Sequence, residues 1–169
     1  MGVSQILFGN IEEDGSMSKN LEAVGYTLQD STSITPDDPE VQEFYAEEVD
    51  TPVITKSKKG KVNFATQIMN PSLEVLHKFL GGTLEEHRWG DGSTYEHIEK
   101  SIRIIPDQGA ACIDLPRVKI DAKLNMPLNN SSLATLDVAG ILLQPEKEGE
   151  KKLWIYDEMP APASESSGL

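Results

Sequence analysis

A single cysteine, Cys112, is all the thiol this chain of 169 residues contains, so no disulfide can form within it. Its neighbours Ala111 and Ile113 are apolar, which favours a buried, inert thiol over a reactive one. Long apolar runs are missing as well. Leu, Ile and Val come in short groups, none approaching the ~18 residues of a membrane helix. Met1–Asn10 has neither a basic start nor a long apolar stretch and does not read as a secretory signal, so the chain is expected in the cytoplasm at synthesis, with no membrane partner.

Catalytic signatures are equally scarce. Neither Gly-x-Ser-x-Gly nor Gly-x-x-x-x-Gly-Lys-Ser/Thr occurs. His77, His87 and His97 fall ten apart, a spacing that fits no helical or strand metal site, and no Cys pair supports them. Asp91-Gly92-Ser93 lacks the repeated oxygen ligands of a calcium loop. Asp37-Asp38 and Glu85-Glu86 read as solvated turns. Nothing lines up a nucleophile, a base and an orienting group. The sequence therefore predicts no enzyme activity, no metal and no cofactor.

Basic residues are nearly absent from the first 50 positions, which hold 12 acids and Lys19 alone. Most of the net charge of −13 lies there, and residues 51–169 are close to balance. A protein that grips nucleic acid needs a basic face to neutralise phosphates, and this balance speaks against one.

What the chain does have is a succession of short strands punctuated by turns. Ser4–Ile11 and Leu21–Leu28 read as strands around Ile6, Phe8 and Tyr26, and Asp30–Pro39 as a loop rich in Asp, Ser, Thr and Pro. Glu40–Asp50 is acidic but contains Val41, Phe44 and Tyr45; its periodicity permits helix or strand. Thr51–Thr55 and Lys61–Met69 are predicted strands, joined by Lys56–Gly60 as a hairpin turn. Val62, Phe64, Thr66 and Ile68 alternate cleanly. A helix follows at about residues 71–80, with Asn70 as cap, Pro71 as first residue, a Leu73, Leu76, Leu80 core face, and Gly81-Gly82 as terminator. Later strands are expected near Thr83–Trp89, at Ile98–Ile105, through Val118–Met126, at Leu133–Leu143 (apolar on both sides) and at Leu153–Tyr156. The fold class is therefore mainly β: an antiparallel β-sandwich or open barrel with one short flanking helix. Residues 1–157 form one domain, and residues 158–169 have nothing to bury and read as a loose tail.

The Val62–Met69 strand, followed by Asn70-Pro-Ser-Leu-Glu-Val-Leu76 and Gly81-Gly82-Thr83, resembles the middle of bacteriophage tail tube proteins. The Tyr26-Thr27 strand, the acidic Pro36–Asp50 segment, the Thr51-Pro52 step and the late strand at Leu133–Leu143 fit the same pattern, over roughly residues 20–157. The resemblance implies a structural subunit of the virion tail, made in the host cytoplasm. Copies of it would join their sheets into rings, hexameric by the resemblance. The rings would stack with other tail proteins into a conduit for DNA. It also implies a long loop near residues 36–61 that reaches other subunits. The candidate interface is then an acidic set, Asp37, Asp38, Glu40, Glu43, Glu47 and Glu48, facing a basic set, Lys56, Lys58, Lys59 and Lys61. A second reading is a monomeric β-sandwich module binding carbohydrate or another ligand, with Trp89, Tyr95 and Trp154 as an aromatic platform.

Overall fold

Alternating side chains build one main antiparallel sheet with a helix packed against its core-facing side. The computed structural model describes residues 2–160. Its strands are β1 (Val3–Gly9), β2 (Glu22–Ala23), β3 (Ser33–Pro36), β4 (Glu40–Tyr45), β5 (Pro52–Lys58) and β6 (Val62–Met69). After helix α1 (Leu73–Leu80) come β7 (Thr83–Glu85), β8 (Arg88–Gly90), β9 (Ile98–Pro106), β10 (Cys112–Asn125), β11 (Thr135–Leu142) and β12 (Trp154–Tyr156). Eight strands share the main sheet in the order β2-β1-β9-β10-β11-β6-β3, with β12 on the start of β10. Two small two-stranded sheets, β4-β5 and β7-β8, stand outside it. The chain is mainly β, 47% strand and 5% helix, and the barrel does not close.

Burial follows the two-residue period. Ile6 and Phe8, Phe64 and Ile68, Ile102 and Ile104, Val118 and Ile120, and Leu136 and Val138 all face the core. Central β10 runs through Pro116, which has no N–H to give a ladder. The register shifts between Leu115 and Val118 at that point. The bulge carbonyl of Pro116 accepts from Ser101 Oγ at 2.7 Å, and Ser18 N–H donates to the same Oγ at 3.0 Å. One residue before Leu115, the buried carboxylate of Asp114 takes a two-pronged bond from Arg103, at 2.7 and 2.8 Å.

Several expected elements take a different form. The first strand ends at Gly9, two residues early. The expected strand Leu21–Leu28 is split at Gly25, whose φ of 102° is open to glycine. Before it Glu22–Ala23 pairs with β1, and after it Thr27 bridges to Ile68 of β6. The strap thus crosses between the two edges of the sheet. The expected loop Asp30–Pro39 contains β3, because β6 still has a free edge there and Ser33–Pro36 fills it. Helix α1 starts later than expected: Ser72, not Asn70, accepts from Val75 N–H (3.3 Å), and Asn70 sits at φ 42°. Its buried side chains are Val75, Leu76 and Phe79, while Leu73 in the first turn is exposed. Phe79 packs on Phe8 with ring centroids 4.9 Å apart. Gly81 closes the helix at φ 75°, as read from the sequence. β11 is central, but only Leu136, Val138, Gly140 and Leu142 are buried; Thr135, Asp137 and Ala139 lie on a wetter face. The predicted loose tail falls outside the described residues from 161 onward.

Candidate assembly surface

The largest correction concerns Lys56–Gly60. It is not a turn between two paired strands. β6 uses one edge for β11 and the other for β3, so nothing is left for β5. β5 pairs instead with the acidic segment before it, whose Glu40–Tyr45 is strand β4 and whose residues 46–50 are turn. Pro36 lies opposite Val62 in the body and Glu40 opposite Lys58 beyond it, so one register runs from the sheet into the arm. At the root Asp37 N–H donates to Lys61 O (2.7 Å) and Asn63 Nδ2 to Asp37 Oδ1 (2.9 Å). The β4-β5 arm is the outer half of a long hairpin whose inner half is woven into the sheet. At about 3.3 Å per residue, residues 37–45 carry it roughly 30 Å from the body.

Every residue of β4 and β5 is exposed. One face carries Gln42, Lys56, Phe44 and Ile54; the other carries Val41, Glu43, Thr55 and Tyr45. Lys56 Nζ stands 5.7 Å over the Phe44 ring. The Tyr45 hydroxyl donates to Glu43 Oε2 at 2.6 Å, which holds the phenol above its usual pKa. Val41, Phe44, Tyr45, Val49, Val53 and Ile54 are all exposed on this small element. A two-stranded hairpin with that much bare apolar surface is marginal in water, and such patches mark contact sites.

The predicted acidic and basic sets are brought together, but within one chain. Asp37, Asp38 and Glu40 lie at the root with Lys58, Lys59 and Lys61, and Lys56 faces Gln42. Charges of both signs therefore compensate near the body. Glu43, Glu47, Glu48 and Asp50 sit farther out with no base among them. The six apolar side chains were the part missed from sequence. The signal was present, since Val41-x-x-Phe44-Tyr45 and Pro52-Val-Ile-Thr55 are rich in strand formers.

The other candidates stay apart. Trp89 Nε1 donates to Gly81 O (2.8 Å) beside the end of α1. Tyr95 reaches Asp121 (3.2 Å), while Trp154 pairs opposite Asp114, seven residues back along β10. The three aromatics form no platform. His77 and His87 are exposed, and His97 lies 3.1 Å from Glu99. Among the described residues no group of three or more His, Cys, Asp or Glu could hold a metal ion, and no helix is long and apolar enough to cross a membrane. Cys112 is buried, and desolvation pushes its thiol pKa up, which keeps it protonated and unreactive. Comparisons with known protein families and with curated proteins find no match for the chain.

Proposed function

We propose that this protein is a structural subunit that assembles with its own copies into stacked rings, the wall of a bacteriophage tail tube. The single observation that carries this reading is the β4-β5 arm, with six large apolar side chains held outside the body and left bare among the described residues. The mainly β body with its short flanking helix fits the same reading. So does the charge of −13, since an acidic wall repels phosphates and lets DNA pass without holding it. Rings of six, a place in the virion tail beside other tail proteins, and assembly in the host cytoplasm belong to the proposal through the resemblance. No cofactor or catalytic step enters it.

The test compares the full chain with one in which residues 40–58 are replaced by a short Gly-Ser link. Concentrated full-length protein should give rings or tubes in negative-stain images, and the shortened chain should not. Full-length protein that stays monomeric at every concentration in light scattering would sink the proposal and favour a monomeric binding module.

A further inference from the structure

We infer that the arm of one copy seats on the uncharged end of the next, head to tail. This rests on the assembly reading above and adds the surface that receives the arm. β6 begins at Val62, beside the root of the arm, and ends at Met69 on the opposite side of the body. At Met69 three segments converge. Met69 N–H donates to Tyr26 O (2.8 Å), Thr135 lies opposite Met69, and Asn70 N–H donates to Ala134 O (3.0 Å). The arm and this end therefore sit at opposite poles of the molecule.

The receiving end has an unusual composition. One residue in four of the chain is charged, yet residues 23–29, 62–73 and 124–136 contain no Asp, Glu, Lys or Arg. It is also apolar on the outside: Tyr26 is 86% exposed and Leu128 97%, with Met126, Leu133 and Leu73 bare beside them. Between the strap and α1 lies a groove of about 550 Å³ lined by Val24, Tyr26, Met69 and Val75.

Charge and area choose the occupant. The outer arm carries Glu43, Glu47, Glu48 and Asp50 with no base, so it avoids surfaces that hold carboxylates. Two tips side by side would repel, and the loops at residues 10–20 and 143–152 carry Glu12, Glu13, Asp14, Glu146, Glu148 and Glu150. That end offers more apolar surface and fewer carboxylates; Glu74, in the first turn of α1 beside Leu73, is an acid at its rim. A standard interface takes roughly 20–30 residues a side, and residues 40–58 alone approach that number. A contact between two different poles does not close on itself; it repeats from copy to copy, which is what stacking requires.

Two variants test the pairing. Phe44→Asp with Ile54→Asp blocks the arm, and Tyr26→Asp with Leu128→Asp blocks the end. All four side chains are exposed, so both variants should keep the wild-type melting curve, which is checked first. Each alone should stop short of tubes. An equimolar mixture retains one intact arm and one intact end per pair, and should form a complex of twice the mass of either variant in light scattering. If the end-blocked protein builds tubes as readily as wild type while the arm-blocked protein does not, the receiving surface is wrong and the assembly reading stands. A closed dimer of the end-blocked protein by itself, with no mixed complex, would show arm pairing with arm and also overturn the inference. If neither variant alters assembly, the arm is not the contact and the inference falls, while the tubes that still form leave the assembly reading standing.

Discussion

β5 and β6 lie on the same strand path, three residues apart, and meet opposite fates. In β6 every second side chain is buried; in β5 none is. Both contain β-branched residues and both pair antiparallel, β5 with a register shift between Phe44 and Tyr45 of its partner. The difference is what lies on their faces. β6 has neighbours on both edges and a core beneath it, and β5 has β4 alone. Strand formation is thus local and inherited through the hairpin register, while burial depends on a partner that the monomer lacks in the arm.

The sharpest way to break this comparison is to cut the same ring from both regions. Phe64→Ala should destabilise the protein by about 3–5 kcal/mol, and Phe44→Ala by no more than about 0.5 kcal/mol in the monomer. Urea melts of the two variants give the contrast; equal losses would mean that the arm is packed in the free protein.

A smaller contrast exists within α1. Leu76→Ala should cost about 2–5 kcal/mol if its site cannot collapse, whereas exposed Leu73→Ala should change little. A melting temperature lowered equally by both would return the buried face to the one read from sequence.

Reversal of Lys56, Lys58, Lys59 and Lys61 to Glu addresses the root. It sets a like charge at position 58 opposite Glu40, a pair costing roughly 0.2–1 kcal/mol. Amide hydrogen exchange in β4 and β5 should quicken and tube formation should fail, with the body's melting temperature nearly unchanged. Unaltered exchange would show that those charges do not hold the arm together.

The smallest effect belongs to the body's surface. Arg117 grips Glu99 at 2.9 and 3.1 Å, and this bond holds the Glu99 pKa below the ordinary glutamate value. A carboxylate with a depressed folded pKa adds stability that is present above its unfolded pKa, about 4.3, and is lost as pH falls through the lower folded value. Glu99→Gln should therefore lower stability slightly at pH 7, by at most about 1 kcal/mol for a pair at this level of exposure, and the gap to wild type should close in acid. A gap that persists unchanged at pH 2 would place the effect elsewhere.

The body was largely legible in sequence because its period-two pattern is two-sided: Ile102 and Ile104, or Val118 and Ile120, alternate with polar residues that face water. The helix was legible from its apolar spacing and Gly81, but not its cap, because Asn70, Pro71 and Ser72 offer competing starts and only packing decides. The β4-β5 pairing was hidden by composition. Acidic residues between Val41 and Val49 imitate a solvated loop, and the Lys-Ser-Lys-Lys-Gly run imitates a turn. β3 was hidden for a different reason, since Ser33–Pro36 forms a strand only because β6 offers it an edge. The interface sets were legible as charges, but not the self-compensation at the root, which follows from a register that no local pattern encodes.

The unbroken register from arm to sheet also has a mechanical meaning. A pull on the arm runs straight along the strand axis into β6. There the load meets seven paired positions with β11, Thr135 opposite Met69 through Ile141 opposite Asn63. Those bonds lie across the line of force and must yield together in shear, not open one by one as in a zipper. The arm is thereby anchored in the part of the body best able to resist being drawn out.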